Sequence, residues 1–287
     1  MPLLSASRVT VVAGKGGVGK STVTAVLARA AAAAGLRVLV VELDGKPVLA
    51  ELVGDLPCTA ISAPAALEEY LRQHGFGRIA KRLAASGVID VVGTAAPGID
   101  DIVVLGKIKQ LERSGDWDVI VVDGPAAGHA VTFLTSAIGL QDAVRGGPVR
   151  TQADDVVELL RDHERCQVVL VTLPETTPVN EVVETAYALE DRVGVRLGPV
   201  VVNALDRAGV DVPDPATVDL DGLADGAVLR HAAEFRRTRL ALQAAEIERL
   251  RGELALTQWH LPLLPVAGMT AGHVEVLAGS ITAGREK

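Results

Sequence analysis

The feature that most constrains the fold is a glycine-rich loop between a short apolar run and an alanine-rich stretch. The run Val9–Ala13 leads into the loop Gly14–Thr22, and a helix-forming segment follows. When a chain enters such a loop from a strand and leaves it as a helix, the backbone N–H groups of the loop and the positive end of the helix dipole converge on the space above the loop. This arrangement is typical of a phosphate-binding loop and predicts an α/β fold.

Short β-branched runs alternate with helical stretches along the rest of the chain. The runs are almost continuously apolar, as expected of strands that are buried on both faces. Helices between the strands predict a doubly wound, mostly parallel sheet with helices on both faces. The predicted strands are Val9–Ala13, Val38–Glu42, Val88–Val92, Val119–Asp123, Val168–Leu173 and Val200–Asn203.

The predicted organisation is a single domain over residues 1–287 with short helical insertions near 60–85 and 131–163. The segment Asp211–Asp225 is rich in Asp, Pro and Gly, which predicts a loop. A long helix is predicted after it, over about Gly226–Glu253. Arginines and glutamates are interleaved along this helix, which indicates a solvated face rather than a nucleic-acid-binding stripe.

Composition excludes several classes of protein. The net charge of −8 disfavours nucleic-acid binding, which needs a basic surface. Cys58 and Cys166 are far apart and form no CxxC pair, so no zinc site is expected. No apolar run predicts an integral membrane segment, and a strand that starts near Arg8 leaves no room for a secretory signal. A cytoplasmic location is the resulting expectation.

The loop residues have predicted roles in holding MgATP. Glycines allow positive φ angles, so that backbone N–H groups can turn towards the phosphates. We expect Lys20 to contact the β- and γ-phosphates, Ser21 to bind Mg²⁺ and Thr22 to reach the α-phosphate. The predicted nucleotide-binding residues of the loop are Gly14, Lys15, Gly16, Gly17, Val18, Gly19, Lys20, Ser21 and Thr22.

Lys15 is not required by an ordinary phosphate-binding loop. With it the loop reads GKGGVGKST, which resembles the deviant Walker A motif of the MinD, ParA, nitrogenase iron-protein and ArsA group. In that group the additional lysine reaches the partner's nucleotide across a dimer interface. The resemblance implies a dimer in which Lys15 acts in trans like an arginine finger, and in which Lys15 and Lys20 are catalytic.

Acidic residues end two of the predicted strands. Asp44 follows the second strand, where it could orient or deprotonate the attacking water, and Glu42 lies two residues before it. Asp44 takes the place of the Asp of an Asp-Pro pair in the tail-anchored-protein targeting ATPases and ArsA, although Gly45 replaces the proline. Asp123 ends a Walker B-like strand and is predicted to hold Mg²⁺ through water.

The segment that follows Asp123 resembles the switch II sequence DTAPTGH of the same family. Gly128 and His129 are retained, but Ala127 stands where the family has its second Thr. The missing hydroxyl predicts slow hydrolysis or altered switching. His129 has two open interpretations, a part in switching or a cap on the next helix.

Later segments resemble the family in the expected order. Pro97–Asp101 is similar to its PGIDE segment, and Glu175 to a glutamate near the nucleotide across the dimer. The resemblance assigns Asn203 to adenine, a role that suits an amide because it offers a donor and an acceptor. Within Leu261–Pro265, it implies a loop that closes over the adenine through Pro262, Leu264 and Pro265. The chain most resembles the actinobacterial branch of the ArsA and tail-anchored-protein targeting ATPase family.

These observations predict an ATP-binding and hydrolysing dimeric switch protein with an unidentified client. Its partner is expected to be a second copy or a paired homologous subunit across the nucleotide. Two alternatives stay open: a non-hydrolysing or regulatory subunit of a heterodimer, and a ParA- or MinD-like positioning ATPase. The family's paired zinc cysteines, metalloid cysteines and Met-rich client groove are not found, since the chain has two cysteines and two methionines.

Overall fold

The computed structural model describes residues 7–43, 48–73, 75, 98–206, 218 and 225–283. In this part of the chain, strands and helices alternate. The strands are β1 Val9–Gly14, β2 Val38–Glu42, β3 Cys58–Ala60, β4 Val119–Ala126, β5 Cys166–Thr172, β6 Arg196–Leu205 and β7 Gln258–Pro262. The helices are α1 Lys20–Ala33, α2 Val48–Val53, α3 Ala63–Gln73, α4 Ile99–Arg113, α5 Ala127–Ala143, α6 Pro148–Arg161, α7 Thr176–Arg192, α8 Gly226–Glu253 and α9 Ala271–Ala283.

The strands form one seven-stranded sheet in the order β3-β2-β4-β1-β5-β6-β7. Every pairing between neighbours is parallel. β2, β3 and β4 lie on one side of β1, with β4 inserted between β1 and β2, and β5, β6 and β7 follow on the other side. β1 is therefore the switch point, and ligands of such sheets bind at the carboxyl ends of the strands near this point.

Alternate residues of each strand point to opposite sides of the sheet, so a strand that is apolar throughout gives the sheet two apolar faces. Helices cover both of them. Val9, Val11 and Ala13 pack into a core shared with α3 to α8. Val12 packs on the other side, in a core shared with α1, α2 and α9. The predicted doubly wound α/β fold is confirmed.

The predicted strands in the described residues are confirmed, with shifts at their ends. β6 begins at Arg196 rather than at Val200, and β5 ends one residue before Leu173. The predicted strand Val88–Val92 lies outside the described residues. β3 and β7 were not predicted, and β7 corrects the assignment of Leu261–Pro265 to a loop, because Leu261 and Pro262 belong to this strand.

The helical predictions have a similar outcome. The long helix is confirmed at Gly226–Glu253, where α8 has these bounds. In the first predicted insertion, α3 is described and residues 74 and 76–85 lie outside the described part. The second contains most of α5 and all of α6. None of the helices in the described ranges has the length and apolarity needed to cross a membrane.

Candidate nucleotide-binding site

The loop between β1 and α1 lies at the carboxyl end of the central strand. Gly17 and Gly19 have φ angles of 86° and 89°, in the left-handed region that favours glycine. Gly19 is the N-cap of α1, and the first turn of this helix contains no acidic side chain. The helix therefore presents N–H groups and a positive dipole end that a bound anion can satisfy.

The side chain of Lys20 folds back over this loop. Its Nζ donates a hydrogen bond of 3.2 Å to the carbonyl oxygen of Lys15. The side chain of Val18 fixes the loop to the core that α1 covers, because it is buried there. Gly16 and Gly17 are exposed at its tip. The loop thus has an apolar base, an open tip and an ammonium group that lies over it.

Ser21 and Asp123, the two residues predicted to bind Mg²⁺, lie together beside the loop. The Ser21 hydroxyl donates to Asp123 Oδ2 over 2.6 Å, and the Thr24 hydroxyl lies 3.2 Å from Asp123 Oδ1. A hydroxyl and a carboxylate oxygen are the hard donors that Mg²⁺ prefers. Ser21 and Asp123 thus fit a magnesium ion that is completed by water and phosphate. No group of three or more His, Cys, Asp and Glu side chains that could hold a metal occurs in the described ranges.

Glu42 lies next to Asp123 at the same edge of the sheet. The two residues are register partners on β2 and β4, and Glu42 is buried. Val40 and Val121, two residues earlier on each strand, face the α1 side, so Glu42 and Asp123 also face it. Cys58 lies on the same side, and burial, then Glu42 and Asp123, raise the pKa of its thiol. Asp44 lies outside the described residues, so its role with water stays a prediction.

Asn203 contacts the loop itself, which the sequence did not predict. Its Nδ2 donates to the carbonyl oxygen of Val18 over 2.8 Å. The next residue, Ala204, has a φ angle of 53°, and the register of β6 against β7 shifts between Val202 and Leu205. This irregularity accompanies the turn of the Asn203 amide towards the loop, and one of its N–H groups is already used there.

Four other predicted residues are less directly placed. Pro262 ends β7 as the register partner of Leu205, so it lies close to Asn203 across the strand pair. Leu264 packs against the core on the α1 side, and Pro265 is exposed. Thr22 is half-buried in the first turn of α1. Pro262, Leu264 and Pro265 thus lie at or just after the carboxyl end of β7, and Thr22 lies in the helix that follows the loop.

Lys15 and Glu175 were predicted to contact the nucleotide of a second subunit, and both roles stay predictions; within one chain their surroundings are as follows. Lys15 makes an ion pair with Glu181 of α7 in the same chain. Glu175 is the exposed N-cap of α7, and its backbone N–H donates to the Leu173 carbonyl oxygen. Glu181 was not predicted, since a glutamate inside an amphipathic helix gives no signal of its own.

The segment after Asp123 continues the strand before it becomes a helix. β4 runs to Ala126, and the N-cap of α5 is Ala126 rather than His129. The helix-cap interpretation of His129 is therefore wrong; this residue lies in the first turn and is exposed. It lies near Asp101 of α4, whose pKa is raised by burial and then by Asp100, while His129 opposes the shift.

Fold and site together define a class of protein. A parallel sheet with helices on both faces, a glycine-rich loop at its switch point and a Ser–Asp pair beside that loop are the features of a P-loop nucleoside triphosphatase.

Comparison with known proteins narrows this class to one family. Residues 7–145 match the family model described as anion-transporting ATPase, of ArsA type. The chain is 34% identical over 253 residues to the ATPase BagA of Mycobacterium tuberculosis, covering 78% of this chain and 74% of that protein. It is 32% identical over 207 residues to an arsenical pump-driving ATPase of Escherichia coli, covering 70% of this chain and 35% of that protein.

A putative arsenical pump-driving ATPase of Halobacterium salinarum is also similar, at 29% identity over 223 residues, which cover 67% of this chain and 34% of the relative. The chain belongs to the ArsA family of ATPases. The family resemblance inferred from the sequence motifs, including its likeness to the actinobacterial branch, is confirmed by the match to the mycobacterial relatives.

Proposed function

We propose that this chain is a dimeric switch protein that binds and slowly hydrolyses MgATP, and that couples hydrolysis to the binding or release of a client. The observation that carries this proposal is the pairing of Ser21 with Asp123 beside a loop that contains both Lys15 and Lys20. An ordinary triphosphate site needs Lys20, Ser21 and Asp123. Lys15 is the residue that distinguishes a dimeric switch from other P-loop proteins.

Binding would begin at the loop and the first turn of α1. The N–H groups of Gly16 to Lys20 would surround the β-phosphate, and the positive end of α1 would favour its charge. Lys20 lies 3.2 Å from the Lys15 carbonyl oxygen, so its ammonium is already held over the loop. A phosphate oxygen would replace this carbonyl as its hydrogen-bond acceptor.

Magnesium, when bound, would neutralise charge on the β- and γ-phosphates. Ser21 would hold it directly and Asp123 through water. The bond between these two side chains keeps both oxygen atoms within 2.6 Å of each other. The chain therefore orients the donors before the nucleotide arrives.

Hydrolysis would depend on Asp44 and on Lys15 of a second subunit. Asp44 would aim the attacking water, and the partner's Lys15 would stabilise the charge that develops on the transferred phosphoryl group. Ala127 lacks the hydroxyl of the family's threonine, which is the reason to expect a slow rate.

The adenine would lie at the carboxyl ends of β6 and β7. One N–H of Asn203 is used by Val18, so the base would meet the second N–H and the carbonyl oxygen of this amide. Pro262, Leu264 and Pro265 follow from the neighbouring strand and would cover the ring. Glu175, exposed at the start of α7, would contact the nucleotide of the other subunit.

A metalloid held by the cysteines of one chain does not fit as the client. Cys58 and Cys166 lie on β3 and β5, with β2, β4 and β1 between them. At about 4.8 Å per strand, this is a separation of roughly 19 Å. Two thiols at this distance cannot bind the same arsenic atom.

Three lysine variants test the proposal. Binding of a fluorescent ATP analogue, phosphate release and molar mass by light scattering would be measured for Lys20→Ala, Lys15→Ala and, as a control on α4, Lys107→Ala. We expect Lys20→Ala to lose binding. Lys15→Ala should keep binding but lose hydrolysis and ATP-dependent dimerisation, and Lys107→Ala should behave like the wild type. Hydrolysis by Lys15→Ala at the wild-type rate would contradict the dimeric mechanism.

A non-hydrolysing regulatory subunit is the second candidate, favoured by Gly45 and Ala127 at the two switch positions. ATP-dependent dimerisation without phosphate release from the wild type would support it, particularly if Ala127→Thr restored turnover. A membrane-positioning role is less favoured by the described residues, because α9 has no lysine or arginine and packs on α1.

A further inference from the structure

The ammonium group of Lys15 is held by a carboxylate of its own chain. Lys15 Nζ makes an ion pair with Glu181 Oε1, although the two residues are 166 positions apart in the sequence. Lys15 lies at the carboxyl end of β1, and Glu181 lies in the second turn of α7, which follows the adjacent strand β5. Both side chains are partly exposed, at 38% and 37%. A half-exposed pair of this kind can open without leaving a buried charge behind.

The helix that carries Glu181 is packed in place, whereas Lys15 lies on a loop. The face of α7 on either side of Glu181 is buried through Val179, Val182 and Val183. The Thr185 hydroxyl also donates to the Glu181 carbonyl oxygen over 2.6 Å. Lys15, by contrast, is carried by a long side chain next to the exposed tip of the loop.

The start of α7 is tied down by the long helix α8. The Thr176 hydroxyl lies 3.0 Å from Glu246 Oε1, and Arg249 bonds both Glu246 and the Thr176 carbonyl oxygen. These contacts hold the helix that carries Glu181 against its neighbour. A change in the position of Lys15 therefore requires rotation of its own side chain and no movement of α7.

We propose that Glu181 is a latch that keeps Lys15 inside its own subunit until the nucleotide of a second subunit competes for it. This inference rests on the proposed function, since it requires Lys15 to act in trans. The latch would be selective for charge. A triphosphate offers the ammonium more negative charge than one carboxylate does, and a diphosphate offers less than a triphosphate. ATP on the facing subunit would therefore draw Lys15 away, and loss of the γ-phosphate would favour its return to Glu181.

The expected size of the effect follows from the exposure of the pair. Exposed ion pairs change equilibria by at most about fivefold, and salt weakens them further. Removal of the Glu181 carboxylate should therefore favour the ATP-bound dimer by about two- to fivefold at low salt. Glu184 provides a matched control, because it is an exposed glutamate on the same helix, three residues further on.

The first experiment tests the contact between Lys15 and Glu181 in the absence of ATP, with a readout that does not depend on hydrolysis. The ATP-free full chain would be treated briefly with an amine-reactive acetylating reagent, and modification of Lys15 would be followed by mass spectrometry. We expect Glu181→Gln to increase the modification rate about two- to fivefold over the wild type, and Glu184→Gln to leave it unchanged. Salt should accelerate the reaction of the wild type and of Glu184→Gln, but not that of Glu181→Gln. Equal rates in all three proteins would overturn the latch.

The second experiment examines its consequence for assembly. Sedimentation with Mg²⁺ and a slowly hydrolysed ATP analogue would give the dimer dissociation constant of the same three proteins. Glu181→Gln should dimerise at a concentration about two- to fivefold lower than the wild type, and Glu184→Gln at the wild-type concentration. Circular dichroism would verify that each variant is folded.

The latch and the dimeric switch fail in different ways. If the wild type dimerises and Glu181→Gln has the same dissociation constant, the latch is wrong and the proposed switch stands. If all variants bind the fluorescent ATP analogue and none dimerises, the dimeric switch is wrong and the latch falls with it. Weaker dimerisation of Glu181→Gln would show that Glu181 supports the closed state, and it too would overturn the latch.

Discussion

Loss of the buried carboxylate of Glu112, at the end of the sheet opposite the candidate site, should destabilise the protein strongly. Arg165, which precedes β5, bonds two glutamates of very different burial. Its Nη2 and Nε donate to Glu112 over 2.8 and 3.2 Å, and Glu112 is 4% exposed. Its Nη1 donates to Glu158 over 3.1 Å, and the Glu158 side chain is 63% exposed.

The magnitude follows from what each glutamine variant leaves behind. Breaking a buried ion pair by removing one partner costs about 3–5 kcal/mol. Glu112→Gln keeps the shape and one acceptor oxygen, and the Arg165 side chain is 19% exposed, so water can reach it in part. We therefore expect a loss of about 2–3 kcal/mol in the free energy of unfolding. Glu158→Gln should cost less than about 0.5 kcal/mol, as exposed pairs do.

Urea denaturation of both variants and the wild type, followed by circular dichroism, would measure these differences. The binding of ATP by the folded protein should change in neither variant, because Arg165 lies at the amino ends of the strands and the loop at their carboxyl ends. A loss for Glu112→Gln no larger than that for Glu158→Gln would refute the argument from burial.

Three further predictions concern the loop, the thiols and one surface ion pair. Gly19→Ala forces an alanine to a φ angle of 89°, so it should cost about 1–2 kcal/mol of stability and weaken MgATP binding by at least about tenfold in calorimetry; unchanged affinity would speak against the loop geometry. Burial raises the pKa of Cys166 to about 12, and burial and two nearby carboxylates raise that of Cys58, so at pH 8 a thiol reagent should modify Cys58 slowly and Cys166 not until urea is added. The Arg37 guanidinium lowers the pKa of Asp118 to about 2, so Asp118→Asn should melt slightly below the wild type at pH 7, with the difference shrinking as the pH falls below about 4 and lost below about 2; a difference that persists well below pH 2 would have another cause.

The central part of the fold could be predicted because its strands are buried on both faces. β1, β2 and β5 are mostly apolar over five to seven residues, a length that suits a buried strand better than a helix. β3 has three residues at the sheet edge, which is too short for any periodicity. β7 does carry a signal, since Trp259 and Leu261 are buried alternately, but the resemblance of Leu261–Pro265 to a loop of the family led to a different assignment.

The candidate site was predictable where recognisable motifs mark its residues, and less so elsewhere. Ser21 and Asp123 lie together because two recognisable motifs meet at the same end of the sheet, and their role with Mg²⁺ stays a prediction. The contacts of Asn203 with Val18 and of Lys15 with Glu181 depend on strand order and on a local irregularity of β6. Neither leaves a trace in local composition. The position of Asp44, two residues beyond the end of β2, stays a prediction.

The hydrogen bond from Asn203 to Val18 has a consequence for how affinity is related to folding. It fixes the loop from outside, together with the buried side chain of Val18 and the left-handed glycines. The conformational entropy of ordering the loop is then lost when the chain folds, and not when a nucleotide arrives. Substitutions around Val18 should consequently lower the stability of the protein, and with it the amount that accumulates in cells, more than they lower the affinity of the folded protein for nucleotide.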